Sequence, residues 1–281
     1  MRQELQRTAI VYDFDGTLAP GNIQEHSLLP DLLGSHKDEF WSEVKRRQAL
    51  YDADQILVYL QLLLELAKRQ NTALTHDLLK EQGANTPFFK GVKQWFSRIN
   101  AHAEGAGLAL EHYIVSSGNE EMILGCDIAS EFKKIFACKY IYNDAGEAIW
   151  PGSAVNYTTK TQYLFRINKG VDTHADDESV NRWVAPDARP IPFERMIYLG
   201  DGDTDIPSMK MVRHQGGYSV AVFDPQKWAD TGSNDGPKTR EKAFKLIAED
   251  RADFVVPADY QDGSQLDVTV KGLLGRIAQG V

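Results

Sequence analysis

The amino-acid sequence predicts an α/β fold, in which a mostly parallel sheet is covered by helices on both faces. Short apolar runs that end in turn residues alternate along the chain with stretches that place apolar residues at helical spacing, an order typical of parallel sheets. The alternation is interrupted once, between residues 21 and 86, where the patterns are helical only. We therefore expect a helical segment inserted after the first strand of the sheet.

Several short apolar runs are the predicted strands, because brief apolar runs that stop at turn residues are typical of buried strands. They comprise residues 9–12, 108–115, 196–199, 218–223 and 253–257. The first three stop at Asp13, Ser116 and Gly200. Ligands of parallel sheets bind beyond the carboxyl ends of the strands, so we expect functional side chains at these three places.

The stretches between the strands are predicted helices, since apolar residues recur in them at helical spacing. They comprise residues 91–104, 119–132, 159–167, 204–212, 239–249 and 265–278. Residues 140–151 contain the turn sequence N-D-A-G between β-prone residues and predict a small hairpin. Residues 172–192 lack periodicity and predict a long loop, which could cover the site or mediate assembly. Without a ligand, we expect this loop to be disordered.

The helical segment is predicted to form a cap over the sheet. It contains an amphipathic stripe over residues 40–51 and a strongly apolar helix over residues 56–66. The sequence N-T-P at residues 85–87 marks the return to the sheet. The expected domains are a core of residues 1–20 and 87–281 and a helical cap of residues 21–86.

The composition limits the possible partners and compartments. The 281 residues include 31 Lys and Arg and 40 Asp and Glu, a formal net charge of −9 that argues against binding of nucleic acid or anionic membranes. The densest apolar stretch, residues 56–67, contains Gln61 and Glu65 and is too short to span a bilayer. With no secretory signal recognisable, we expect a cytoplasmic protein. Cys126 and Cys138 are accordingly predicted to be buried thiols.

The strongest chemical signal is the pentapeptide D-F-D-G-T at residues 13–17, directly after the first predicted strand. Asp13 and Asp15 are two residues apart, and like charges that close raise each other's proton affinity. A hard divalent cation such as Mg²⁺ removes this penalty, and the second carboxyl group can then stay protonated and act as an acid. The alternative is an Asp-Gly turn that only closes the strand.

A second acidic motif, G-D-G-D-T-D at residues 200–205, follows another predicted strand. Its glycines allow a tight turn, from which Asp201 and Asp205 could face one site. Alternatively, Thr204 or Asp205 caps the helix that begins there.

Two further features suit phosphate binding. Ser116 and the following Ser117 precede a predicted helix, whose N-terminal amides attract anions, although a serine there is also a common helix cap. Lys160 lies at the start of another predicted helix, where the helix dipole disfavours a cation. An anionic partner would explain this lysine, and a solvated side chain is the alternative.

Together these motifs resemble those of the haloacid dehalogenase-like hydrolase superfamily, whose order is D-x-D-G-T, a Ser or Thr, a Lys and G-D-x-x-x-D. The resemblance covers about residues 10–222. The helical insert resembles the cap of the branch that includes phosphoserine phosphatases. The resemblance implies a Rossmann-like, doubly wound parallel sheet with a helical cap, and a phosphatase that hydrolyses a small phosphomonoester with Mg²⁺ as cofactor.

The resemblance also implies roles for individual residues. Asp13 would be the nucleophile that forms an aspartyl-phosphate, and Asp15 the acid and then the base. Mg²⁺ would be held by Asp13, the main-chain carbonyl of Asp15 and Asp201, with Asp205 assisting directly or through water. The phosphate-binding residues would be Ser116, Ser117 and Lys160.

Other functions stay open at this point. A phosphomutase shares the same motifs and a helical cap, and a non-catalytic phosphate-binding or scaffold protein is an alternative from a different class. Dehalogenases of the superfamily lack an equivalent of Asp15, which argues against C–halogen cleavage. The substrate depends mainly on the cap, where the sequence is least informative, and no oligomeric state is predicted. Cap residues that could contact a substrate are Glu25, His26, Arg46, Arg47 and Tyr51, which could equally be ordinary helix residues.

Overall fold

The computed structural model describes residues 5–202 and 204–280. Its centre is a seven-stranded sheet, and the strand order is β4-β3-β2-β1-β5-β6-β7. The strands are β1 (Gln6–Tyr12), β2 (Leu108–Asn119), β3 (Lys134–Tyr142), β4 (Ala148–Ser153), β5 (Met196–Gly200), β6 (Tyr218–Phe223) and β7 (Phe254–Pro257). All neighbours pair in parallel except β3 and β4, which form the predicted hairpin. The predicted α/β fold with a parallel sheet is thus confirmed.

Helices cover the sheet and fill the segment between β1 and β2. They are α1 (Lys37–Tyr51), α2 (Gln55–Arg69), α3 (His76–Gly83), α4 (Val92–Gly105), α5 (Glu120–Leu124), α6 (Thr159–Lys169), α7 (Asp177–Asn181), α8 (Ile206–His214), α9 (Pro225–Ala229), α10 (Asp235–Ala248) and α11 (Gln265–Gln279). Between β1 and α1 lie a 3₁₀ helix (Ile23–Glu25) and a π-helical turn (Leu28–Leu32). We propose residues 21–86 as a cap domain on a core formed by the rest of the chain.

The sequence of α2 explains both where this helix begins and which face it buries. The side chain of Asp54 accepts hydrogen bonds from the backbone N–H groups of Ile56 and Leu57, which caps the helix N-terminus. Tyr59 and Leu63, four residues apart, are both buried. The capped end fixes the helix register and so directs Tyr59 toward the end of β2.

Two predictions from the sequence were wrong: β3 was not predicted as a strand, and the helix after β2 was predicted to be too long. Lys134–Tyr142 pairs in parallel with β2, but its short apolar stretch is flanked by lysines and gives no clear strand pattern. The helix predicted over residues 119–132 ends at Leu124, and a 3₁₀ turn follows at Ala129–Glu131. The cause is tertiary packing: a Cβ at Gly125 would lie 1.8 Å from the Lys80 carbonyl oxygen, so the chain turns where it meets α3.

The segment predicted as a disordered loop is packed against α6. Arg166 donates hydrogen bonds to the carbonyl oxygens of Thr173 and Asp176, and Lys169 donates to that of Val180. Residues 177–181 of this segment form α7. The expectation of disorder is therefore wrong, because two long basic side chains satisfy carbonyls that the loop itself leaves unpaired.

Two other expectations concern buried groups and membranes. Cys126 and Cys138 are buried free thiols, as predicted. Among the described residues, no helix combines the length and apolar character needed to cross a membrane.

Candidate active site

The candidate site lies at the carboxyl ends of the central strands. β1 pairs with β2 on one side and β5 on the other, so the residues that follow β1 and β5 emerge next to each other. The backbone N–H of Asp13 continues this pairing with a 2.8 Å hydrogen bond to the carbonyl oxygen of Leu199. Sheet topology thereby brings the two acidic motifs of the sequence together.

Lys160 links these motifs from the start of α6. Its side chain is 0% exposed, and its Nζ lies 2.9 Å from Asp13 Oδ2 and 2.7 Å from Asp205 Oδ1. Burial lowers the pKa of Lys160, but the two carboxylates raise it by more, so the net pKa is above its usual value. Lys160 is therefore a buried ammonium group with anionic partners, and the alternative of a solvated lysine is excluded.

Three carboxylates form a group that could hold a metal ion. One oxygen each of Asp13, Asp201 and Asp205 lies within 4.8 Å of the others. Burial, followed by the charge of Asp205, raises the pKa of Asp13, and Lys160 counteracts only part of this effect. Burial also raises the pKa of Asp201. An arrangement that disfavours the ionised carboxylates by themselves is one that a cation would stabilise.

Glycines make the close approach of these carboxylates possible. Gly16 has a φ of +73°, and a Cβ there would lie 2.7 Å from Asp201 Oδ2. At Gly200 a Cβ would lie 2.4 Å from Asp205 Oδ2. A side chain at either position would occupy the space in which the carboxylates meet.

In the described part of the site, the carboxylates outnumber the ammonium groups that contact them directly. Four carboxylates converge there, and two ammonium groups contact them, which leaves an excess of two negative charges when all are ionised. The carboxylates are those of Asp13, Asp15, Asp201 and Asp205, and the ammonium groups those of Lys160 and Lys242. The all-oxygen donor set and the charge excess both fit one hard divalent cation.

Asp15 lies beside this group of carboxylates, and its side chain forms no ion pair with Lys160 among the described contacts. Its Oδ1 accepts a 2.9 Å hydrogen bond from the backbone N–H of Ile23. Burial, followed by the charge of Asp13, raises the pKa of Asp15 well above its usual value. The raised pKa favours the protonated form of Asp15, which is the form that an acid requires.

Asp205 does not serve as the cap of α8. It stands at the N-cap position, but its side chain makes no capping bond. Instead, Oδ1 accepts hydrogen bonds from Lys160 and from the hydroxyl group of Tyr198, both at 2.7 Å. Tyr198 is a partner that the sequence analysis missed, because a tyrosine inside a buried apolar strand gives no signal of a polar role.

Ser116 and Ser117 follow the same sheet edge. Helix α5 is capped by Asn119, so Ser116 is free of that role. Ser116 Oγ and Asp15 Oδ2 both lie next to Gly118. A Cβ built on Gly118 would be 3.4 Å from Ser116 Oγ and 3.0 Å from Asp15 Oδ2. Ser117 lines the cavity described next, and its buried Oγ has no hydrogen-bond partner in the described part of the chain.

The site opens into a cavity of about 470 Å³. Asp13, Asp15 and Asp201 belong to its lining, together with aromatic, polar and apolar residues of the cap segment. The lining residues from the cap segment are Asn22, Gln24, Trp41, Lys45, Gln55, Ile56 and Tyr59, and Tyr157 of the core also lines the cavity. Tyr59 also donates a 2.6 Å hydrogen bond to the Ser117 carbonyl oxygen, which connects the cap to the end of β2.

The cap residues suggested by the sequence lie elsewhere. Glu25 accepts a 2.6 Å hydrogen bond from Trp41 Nε1, and His26 bonds the Pro20 carbonyl oxygen. Arg46 and Arg47 form ion pairs with Glu43, and Tyr51 is 68% exposed. None of these five residues lines the cavity, although Trp41, the partner of Glu25, does. The cap lining consists instead of residues such as Trp41 and Tyr59, which the sequence analysis did not single out.

Comparisons with known proteins agree with this geometry. A model of the haloacid dehalogenase-like hydrolase family matches residues 10–210, which is more than half of the chain. An uncharacterised protein of Borreliella burgdorferi is 30% identical over 282 residues, covering 92% of this chain and 93% of that protein.

Solved structures share the fold at low sequence identity. A HAD-family hydrolase from Salmonella enterica serovar Typhi has a TM-score of 0.57 and 12% identity, covering 96% of this chain and 72% of that one. A probable phosphoserine phosphatase from Vibrio cholerae has a TM-score of 0.55 and 15% identity, covering 99% and 69%. The matched family model and the site that its motifs build lead to one conclusion: this chain belongs to the haloacid dehalogenase-like hydrolase family.

Proposed function

We propose that the protein is a Mg²⁺-dependent phosphatase that hydrolyses a small phosphomonoester through an aspartyl-phosphate intermediate. The observation that carries this proposal is the meeting of Asp13, Asp201 and the buried Lys160 at one end of a cavity. A nucleophile, a cation site and a fixed ammonium group are the parts that phosphoryl transfer requires.

The cation would be held mainly by Asp13 and Asp201, with the Asp15 main-chain carbonyl as a further ligand. Asp205 would contribute directly or through water, although its oxygens already accept hydrogen bonds from Lys160 and Tyr198. Bound there, Mg²⁺ would offset the repulsion between a carboxylate and a phosphate dianion.

The chemistry of the chain itself divides between Asp13 and Asp15. A carboxylate oxygen of Asp13 attacks phosphorus, the bond from phosphorus to the ester oxygen breaks, and Asp15 donates its proton to the leaving alcohol. Asp15, now ionised, then takes a proton from a water molecule that attacks the phosphorus of the intermediate. The bond between Asp13 and phosphorus breaks, which releases inorganic phosphate and restores both carboxyl groups.

Other residues hold the reacting groups in place. Lys160 contacts Asp13 directly and would neutralise charge on the transferred phosphoryl group, while Asp205 holds the lysine in position. Ser116 and Ser117, at the end of β2, would bind phosphoryl oxygens. Because this network is assembled before substrate arrives, little reorganisation is needed during the reaction.

The test is a panel of phosphomonoesters assayed for release of inorganic phosphate with Mg²⁺. Activity is expected to stop when EDTA removes the metal and to return on addition of Mg²⁺. Full activity after verified metal removal would contradict the proposed cofactor. Conversion of a sugar phosphate to its isomer without phosphate release would indicate a phosphomutase instead.

A further inference from the structure

The cavity of the candidate site has a side pocket that no sequence motif marks. A pocket of about 120 Å³ lies beside it and is lined by side chains that include Phe223, Thr239 and Leu246. The residues shared between this side pocket and the main cavity are Gly16, Gly21, Asp201, Lys227 and Lys242. Two lysines therefore stand at the junction of the two spaces.

Lys242 is positioned at this junction by an ion pair with Asp201 and by close packing against Gly202. It projects from α10, its side chain is 31% exposed, and its Nζ lies 3.1 Å from Asp201 Oδ2. A Cβ at Gly202, where φ is +125°, would lie 2.7 Å from Lys242 Cε. Glycine at position 202 thus makes room for the lysine stem beside the acidic motif.

Lys227 and Lys45 add positive charge around the same space. Lys227 projects from α9 with an exposed side chain, and Lys45 lines the main cavity from α1 in the cap segment. The neighbouring Asp224 is engaged as the N-cap of α9, where it accepts hydrogen bonds from the N–H groups of Gln226 and Lys227. The described lining of the two spaces thus contains Lys45, Lys227 and Lys242 alongside the carboxyl groups of Asp13, Asp15, Asp201 and Asp224.

These lysines are not needed for the transferred phosphoryl group. Lys160 is already fixed beside Asp13 and is buried. Lys227 and Lys242, in contrast, are accessible to solvent. An ammonium group has three donors, so a lysine that is already in an ion pair can also contact an anion of the substrate.

We propose that Lys227 and Lys242 form a second anion subsite, and that the substrate carries a carboxylate or a second phosphate besides the phosphoryl group it loses. This inference rests on the proposed phosphatase function, and it defines the substrate class of that site. The side pocket is lined by both lysines and does not include Asp13, although Asp201 and the capping Asp224 also border it.

The test uses pairs of esters that differ in one charge, at fixed ionic strength and with Mg²⁺. Glycerol 3-phosphate and 3-phosphoglycerate differ by a carboxylate, and fructose 6-phosphate and fructose 1,6-bisphosphate by a phosphate. We expect the wild-type protein to prefer the more anionic member of at least one pair by about tenfold in kcat/KM, the range of a charge-assisted hydrogen bond. The pair that shows the preference identifies the anion.

In Lys227→Gln and Lys242→Gln, this preference ratio should fall by about tenfold. Lys210→Gln is the matched control, because Lys210 is exposed on α8 and lies outside the cavity lining. An equal loss for both members of a pair would show that the lysines only attract anions or position Asp201, and would overturn the subsite. Absence of any preference in the wild-type protein would overturn it as well.

Binding separates this inference from the proposed function. In the Asp13→Asn protein, calorimetry should show tighter binding of the more anionic member, and the added Lys227→Gln substitution should remove the difference. If the wild-type protein releases no phosphate from any ester, the phosphatase proposal fails, while this binding difference still decides the subsite.

Discussion

Two adjacent residues, Tyr12 and Asp13, belong to buried polar networks of opposite character. On the Tyr12 side, Trp95 Nε1 donates to the tyrosine hydroxyl (2.8 Å), which donates to His112 Nδ1 (3.0 Å). His112 Nε2 in turn donates to Asn100 Oδ1 at 2.8 Å. The network is neutral, and each of these groups has a partner, as buried polar groups in a stable core require.

On the Asp13 side, the network is charged and incomplete. Carboxylates outnumber the ammonium groups that contact them, and the pKa values of Asp13 and Asp15 are raised. Successive strand residues point to opposite faces, so one step along the chain separates the two environments. A polar network whose groups are all paired serves stability, whereas one with unpaired charge indicates a site for a ligand.

The largest effect on the charged network is expected from Asp13→Asn. The fold should persist, but turnover should be abolished, because the amide cannot attack phosphorus. Phosphate release and circular dichroism of the purified variant check both expectations. Asp144→Asn, an exposed change in the β3–β4 turn, is the control. Wild-type turnover in Asp13→Asn would refute the nucleophile assignment.

Asp15→Asn, in the same charged network, should lower turnover by less than Asp13→Asn but still strongly. Loss of the proton donor is expected to lower the rate by more than about 10²-fold, since general acid–base catalysis supplies at least this much. Single-turnover measurements with an alcohol leaving group test the first step. An unchanged rate would argue against Asp15 as the acid.

Tyr12→Phe tests the neutral network. It leaves Trp95 Nε1 and His112 Nδ1 without their partner, so the free energy of unfolding should fall by about 1–3 kcal/mol. Urea unfolding measures this loss. A retained stability, combined with a large loss of activity, would contradict the separation between the two networks.

The smallest expected effect is the pH dependence of stability from His112. Burial lowers the pKa of His112 to about 3 in the folded protein, below the unfolded value of about 6.5. Between these values the unfolded chain binds the proton and the folded chain does not. The stability from this group is therefore complete above pH 6.5 and falls by up to about 1.4 kcal/mol per unit as the pH is lowered.

The acidic network should respond with the opposite sign. Because the pKa values of Asp13 and Asp15 are raised, the folded protein takes up protons there more readily than the unfolded chain, and lowering the pH stabilises it. Unfolding curves at pH 7 and 5.5 for the wild type, His112→Gln and Asp13→Asn separate the two contributions. His112→Gln should lose less stability on acidification than the wild type, and equal losses would contradict the assignment.

Much of the site could be predicted because its chemistry is local in sequence. Both acidic motifs directly follow apolar strands, and parallel strands present their carboxyl ends at one edge. The proximity of Asp13 and Asp201 could therefore be predicted from the sequence. Tyr198, Tyr59 and Lys242 could not, because each lies in a strand or helix whose pattern is explained by packing alone.

The sequence by itself determined the alternation of strands and helices, the insertion between β1 and β2, and the two motifs at strand ends. These features depend on periodicity and on turn residues, which are properties of neighbours in the chain. Only the tertiary structure decided that β3 joins the sheet, that the helix after β2 stops at Gly125, and that Lys242 reaches Asp201. Those outcomes depend on contacts between residues far apart in sequence, which no local pattern encodes.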